Sequence, residues 1–302
     1  MHEFEAVFTL KEGVEDEELF LIDHSVFARY EVEQMPARTR LLRKCFDTDI
    51  SFSKLDRVCK NNETDIRLVE MKLWEHYPKL LNIFLYEIRR DDLGVIGWID
   101  FTTYCKMNGI IDDVVLQTDQ FDRAFISTNV NTHGLINSAE RNLQRYEFLE
   151  MVVRLSRIKY IESGKMRGTA AAIDKLLNEE MYPNVQEANG HDFRIRHCYN
   201  VKVNEILRKN SQVIDKIYKD KNSTIQFHQK KKYIRLDELK VYIHAMNLKP
   251  AMSEYIIGAI YYESIIAIPD TIRSKRMTEM QPSEFIVFIC KMTHVFYQGT
   301  VY

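Results

Sequence analysis

A chain of 302 residues has the length for about two domains with buried cores. Its formal net charge of −2, with 28% charged residues, provides no global field to attract nucleic acid. No stretch approaches the roughly 20 apolar residues of a membrane span, and only ten Gly and six Pro interrupt helix-sized amphipathic patterns, so the expected class is all-α.

Taken in chain order, residues 1–63 read as an N-terminal arm of short helices. They carry the acidic run Glu15-Asp16-Glu17-Glu18 and a break at Met35-Pro36. The acidic start Met1-His2-Glu3-Phe4-Glu5 leads to no long apolar run, so no secretory leader is expected. From Ile66 the helical pattern is strong: Leu68, Met71, Leu73, Leu80, Leu81, Phe84 and Leu85 predict a helix that tolerates Pro78. A turn at Arg90-Asp91-Asp92-Leu93-Gly94 follows, then a helix from Phe101. Residues 113–128 predict another helix and 130–142 an irregular loop with Asn131, His133-Gly134 and Asn137-Ser138.

The next helix carries Phe148, Met151, Val152 and Leu155, an i, i+3, i+4, i+7 stripe. Phe285, Phe288, Ile289 and Met292 repeat it at one constant offset, and Tyr104 returns as Tyr242 at nearly the same offset. The apolar helix Leu80-Leu81…Phe84-Leu85 is matched less regularly by Val213-Ile214…Ile217-Tyr218. Four short segments sharpen the repeat: Ile96…Asp100-Phe101, Leu143…Glu147-Phe148, Ile234…Glu238-Leu239 and Met280…Glu284-Phe285. Each places a carboxylate four residues after an apolar residue, at nearly equal intervals. An internal duplication is the reading that accounts for the set. Between the copies, Thr169-Ala170-Ala171-Ala172 opens a connector helix that Pro183 and Asn189-Gly190 end.

These residues resemble the EF-hand, in which a loop of about twelve positions carries oxygen ligands at 1, 3 and 5, Gly at 6, an apolar residue at 8 and a carboxylate at 12. With Asp100 at position 12, Asp91 falls at 3, Gly94 at 6 and Ile96 at 8. Arg89 at 1 and Leu93 at 5 supply no oxygen ligand. Asp91, Gly94 and Asp100 form the candidate calcium loop, and no metal is expected in it. Glu147 places Ile136 at position 1 and Arg141 at the glycine position, Glu284 places Arg273 and Lys275 at 1 and 3, and Glu238 places Phe227 and Gln229 there. What the resemblance leaves is architecture. The position-8 residues Ile96, Leu143, Ile234 and Met280 would pair the two loops of each hand, and Phe148 and Phe285 would anchor the exiting helices.

The run Arg145-Tyr146-Glu147-Phe148-Leu149-Glu150-Met151-Val152-Val153-Arg154-Leu155 and the run Pro282-Ser283-Glu284-Phe285-Ile286-Val287-Phe288 are similar to the degenerate EF-hand proteins of cilia and flagella. The likeness is greatest to those on the axonemal doublet microtubules of protists. His191-Asp192-Phe193-Arg194 followed by Val203…Leu207 adds to the likeness, which covers residues 64–302. It implies two lobes of paired degenerate EF-hand-like motifs, at 64–165 and 200–302, joined by a helical connector at 166–199. It also implies a non-catalytic structural or adaptor protein of a microtubule-based ciliary assembly. Its partners would be tubulin or other axonemal proteins within a large complex, docked in grooves between helices, with no cofactor, nucleic acid or membrane insertion. A calcium-responsive regulator and an EF-hand-like regulatory subunit of an enzyme such as a phosphatase are the alternatives.

Three further features bear on function. Residues 208–235 hold Arg208, Lys209, Lys216, Lys219, Lys221, Lys230, Lys231, Lys232 and Arg235 against Asp215 and Asp220. This basic segment suits an acidic partner such as tubulin's surface, and it lacks the interleaved aromatics of a nucleic-acid site. Five scattered cysteines without a C-x-x-C spacing predict reduced thiols in the cytosol, the compartment that includes the cilium. Neither a Gly-rich phosphate loop nor a hydrolase motif is present. His191, His197 and Cys198 lack zinc-site spacing, and Tyr261-Tyr262 and Phe296-Tyr297 are candidates to face a partner.

Overall fold

The computed structural model describes residues 20–90, 93–130, 141–185, 188–223, 233–246 and 252–298, with the backbone alone at 90, 219–223 and 298. The described residues are mostly helical, as the all-α expectation requires. Two 3₁₀ stretches, Ile22–His24 and Ala28–Glu33, lead into α1 (Ala37–Phe52). At 16 residues α1 is longer than the short helices expected of the arm, and its stripe Leu42, Cys45, Phe46, Asp49 and Phe52 is buried. The single-turn α2 (Leu55–Val58) follows, then α3 (Glu63–Glu87). The start of α3 is fixed by Asn62, whose side chain accepts from the Thr64 and Asp65 amides at 3.1 and 3.2 Å. Glu63 and Asp65 in its first turn complement the helix dipole, and Pro78 sits inside the helix without ending it.

The stretch expected from the sequence to be the first unit, residues 64–165, continues through α4 (Trp98–Met107), α5 (Thr118–Thr128) and α6 (Arg145–Ser156). Two short strands precede α4 and α6: β1 (Ile96–Gly97) pairs antiparallel with β2 (Asn142–Leu143), with Ile96 opposite Leu143. The helix α6 forms the centre of the molecule. From Arg145 to Ser156 every residue except Arg154 is buried, because α1, α2, α3, α5 and the later α7 (Thr169–Lys175) all pack on it. Its carboxylates therefore need partners within the protein. Glu150 accepts from the Lys54 amide and from Arg154, both at 2.9 Å. The Lys54 ammonium in turn caps the end of α5 by donating to the carbonyls of Ser127, Thr128 and Val130.

Three helices run on into π-helical turns: Arg157–Glu162 after α6, Leu176–Met181 after α7, and Arg194–Cys198 after α8 (Gly190–Phe193). The stretch expected to be the second unit, residues 200–302, holds α9 (Val201–Lys209), α10 (Ser211–Ser223), α11 (Leu236–Ala245), α12 (Glu254–Ser264) and α13 (Pro282–Gln298). Both units contribute to one contiguous core, from Leu42 and Phe46 through Phe84, Phe101 and Phe148 to Tyr262, Phe285 and Phe288. A smaller apolar cluster places Ile22, Phe27 and Tyr30 against Val287 of α13. No described helix is long and apolar enough to cross a membrane.

Candidate functional site

The residues singled out by the repeat meet in pairs. Ile96 and Leu143 face each other in the β1–β2 ladder, and both are fully buried. In the second unit Ile234 and Met280 form a single antiparallel bridge, each amide donating to the other's carbonyl at 2.9 Å. Aromatic contacts repeat the correspondence. Phe148 lies 5.9 Å from Phe84 of α3 and 5.9 Å from Phe101 of α4, and Phe285 lies 5.6 Å from Tyr218 of α10. The Tyr218 hydroxyl donates to the Met280 carbonyl at 3.1 Å, tying α10 to the bridge.

Each carboxylate at the twelfth loop position falls at the third residue of its helix, where it can close a capping box. Glu147 accepts the Gln144 amide at 2.8 Å, Glu284 the Gln281 amide at 2.8 Å and Glu238 the Arg235 amide at 3.1 Å. Asp100 lies beside Gly97, the residue before α4. These contacts give the carboxylates a structural task at the spacing that a calcium ligand would share. Glu284 goes further. It also accepts the Ile266 amide at 3.0 Å and the Arg276 guanidinium at 2.6 Å, and Arg276 donates in addition to the Glu279 carbonyl within the same loop. A cationic side chain thus holds the carboxylate of the fourth loop.

Burial pushes the Glu147 carboxyl up to about 7, against the opposing pull of the Gln144 amide and Lys54. Gly94 adopts φ 71°, the left-handed turn that its loop position demands, and packs against Met277 and Tyr262 of the second unit. Arg89, at the first position of that loop, is buried with Tyr255 4.0 Å from its guanidinium. Asp91 lies outside the described residues. Among the described residues no group of three or more His, Cys, Asp and Glu side chains converges as a metal site would require.

Of the basic segment, three of the described cations make contacts within the chain. Arg208 donates to the His24 carbonyl, Lys209 lies 3.9 Å from Glu205, and Arg235 lies 3.3 Å from Asp237. Lys216 is exposed on α10. The side chains of Lys219 and Lys221, and all of Lys230, Lys231 and Lys232, lie outside the described residues. Within the chain α1 and α7 pack on α6, and Ile22, Phe27 and Tyr30 pack with Val287 of α13. Tyr261 and Tyr262, candidates to face a partner, are fully buried core residues, whereas Tyr297 is exposed. Four of the five cysteines are buried and none is bridged.

Sequence patterns missed one organising residue. The buried Arg145 guanidinium makes a fork to Asp49 of α1 at 2.7 and 3.0 Å. It also donates to the carbonyls of Ile268 and Pro269 beyond α12, at 2.8 and 3.1 Å. One side chain therefore joins the arm and both repeat units. A second buried pair, Glu33 with Arg194, repeats the device, and Arg194 also donates to the Glu263 carbonyl at 2.7 Å. No family model, characterised protein or solved structure matched this chain.

Proposed function

We propose that this chain is a non-catalytic structural or adaptor protein of a microtubule-based ciliary assembly, built from two pairs of degenerate EF-hand-like motifs. The observation that carries the reading is the double pairing of Ile96 with Leu143 and of Ile234 with Met280, at the four positions where the repeat places them. The carboxylates that follow serve as helix caps, and one of them is held by Arg276, which suits a scaffold that works without an ion. Partners dock in the EF-hand-like grooves between helices and on the basic segment that holds Lys216, Lys230, Lys231 and Lys232. The ciliary setting rests on the resemblance of the Arg145–Leu155 and Pro282–Phe288 runs.

The test is co-sedimentation of the purified chain with taxol-stabilised microtubules over a salt series, with and without calcium. The expected outcome is salt-sensitive, calcium-independent pelleting that weakens when Lys230, Lys231 and Lys232 are neutralised. Absence of pelleting in every condition would remove tubulin as the direct partner.

A further inference from the structure

A cleft of about 300 Å³ opens between α2, the side of α5, and α6 with its π-helical continuation. Five cations line it from three directions: Arg57 and Lys60 from α2 and the turn after it, Arg123 from α5, and Arg154 and Arg157 from the third wall. Glu162 is the one carboxylate in the lining. In a chain of net charge −2 this is a local concentration of positive charge, and the concave wall focuses its field.

The cations fall into two sets. Arg154 is held by the buried Glu150 at 2.9 Å, and Arg157 by Asp65 at 3.3 Å and Thr169 at 2.8 Å. These guanidiniums are oriented before any ligand arrives, which lowers the entropy cost of binding. Among the described residues Arg123 makes only an exposed pair with Asp119, at 2.9 Å, which a competing anion can displace at little cost. Among the described residues the Arg57 and Lys60 side chains have no ion-pair partner, and both residues are exposed at the rim. The turn that presents Lys60 is itself unusual, with Lys60 and Asn61 at φ 54° and 56°.

We propose that this cleft is a docking site for an acidic polypeptide segment. Phosphate sites are commonly built from free backbone amides at a Gly-rich loop or a helix N-terminus; this lining has no glycine, and its residue from the first turn of α5, Gln120, already gives its amide to the Gln117 carbonyl at 3.1 Å. Long basic side chains spread over three elements instead suit several carboxylates spaced along an extended chain, each taken by a guanidinium fork or an ammonium. The identity of the segment as part of a cytoskeletal partner rests on the docking function proposed above, whereas the affinity of the cleft for carboxylates does not.

The experiment is fluorescence anisotropy of a labelled oligoglutamate peptide with the full chain, compared with the double variant Arg57→Gln/Lys60→Gln and with Lys202→Gln, an exposed cation on α9 outside the cleft and the basic segment. Binding should weaken about tenfold or more in the double variant, stay unchanged in Lys202→Gln and fall with added salt. Should the double variant lose its far-UV circular dichroism, Arg123→Gln on the opposite wall provides the same comparison. Equal affinity of the folded variants and the parent, or no binding by the parent, overturns the proposal. Displacement of the peptide by tripolyphosphate at far lower concentration than by free oligoglutamate also overturns it and reassigns the cleft to phosphates. Peptide binding without microtubule pelleting leaves the cleft standing and removes the microtubule reading. Pelleting that survives in a variant unable to bind peptide leaves the cleft standing as a carboxylate site and assigns the tubulin contact to another surface.

Discussion

The Glu147 carboxyl caps α6 from a site almost closed to water, and its burial sets a pH dependence. In the unfolded chain it ionises near the ordinary glutamate value, about 4.3, and in the fold it holds its proton until about pH 7. Below the lower value both states are protonated and the group costs the fold nothing. As pH rises between the two, the unfolded chain ionises first, so stability falls, by on the order of 3–4 kcal/mol in all, and levels off above pH 7. Urea unfolding over this range should show the decline, and Glu147→Gln should flatten it while keeping an oxygen to accept the Gln144 amide. A stability curve unchanged by the substitution would mean that Glu147 ionises freely in the fold.

Among the elements, α12 takes a position that depends on a missing side chain. A Cβ on Gly258 would stand 2.2 Å from the Arg89 carbonyl, so α12 crosses the Ile88–Arg90 turn in backbone contact. Gly258→Ala must push the two apart, and a loss of about 2–3 kcal/mol in thermal or urea unfolding is expected despite the better helix propensity of alanine. The apolar pairing positions Ile96, Leu143, Ile234 and Met280 were legible in the sequence because a duplicated spacing survives loop drift. The start of α5 was not. It begins at Thr118 rather than near 113, because Asp112 accepts the amides of Val114, Val115 and Leu116 and so holds a turn there. The π-helical turns leave no compositional mark. The basic cleft draws its lining from residues 57 to 162, which only the packing brings together.

For the molecule as a whole, the buried pairs Asp49–Arg145 and Glu33–Arg194 tie the arm to the first unit and to the connector, and both guanidiniums also donate to carbonyls of the second unit, at Ile268, Pro269 and Glu263. Withdrawing the second unit would leave both buried guanidiniums short of acceptors, so the interior of one unit depends on the other. Unfolding should therefore be one cooperative event. Trp74 and Trp98 both lie in the first repeat unit, so tryptophan fluorescence reports that half while far-UV circular dichroism reports every helix. The two signals should share one denaturant midpoint, and an early fluorescence transition would show that the halves separate.

Arg276 gives the fourth loop a property that ordinary ion sites lack. A dissolved cation leaves its carboxylate whenever its concentration falls, so occupancy reports on the surroundings. The guanidinium on Glu284 is tethered eight residues away along the same backbone, and its local concentration is set by that tether instead of by the cell. The loop is occupied from the moment of folding and cannot be emptied by a chelator. What would be a sensor in another setting is here a permanent fastening, suited to a part that must keep its shape through every change in the ions around it.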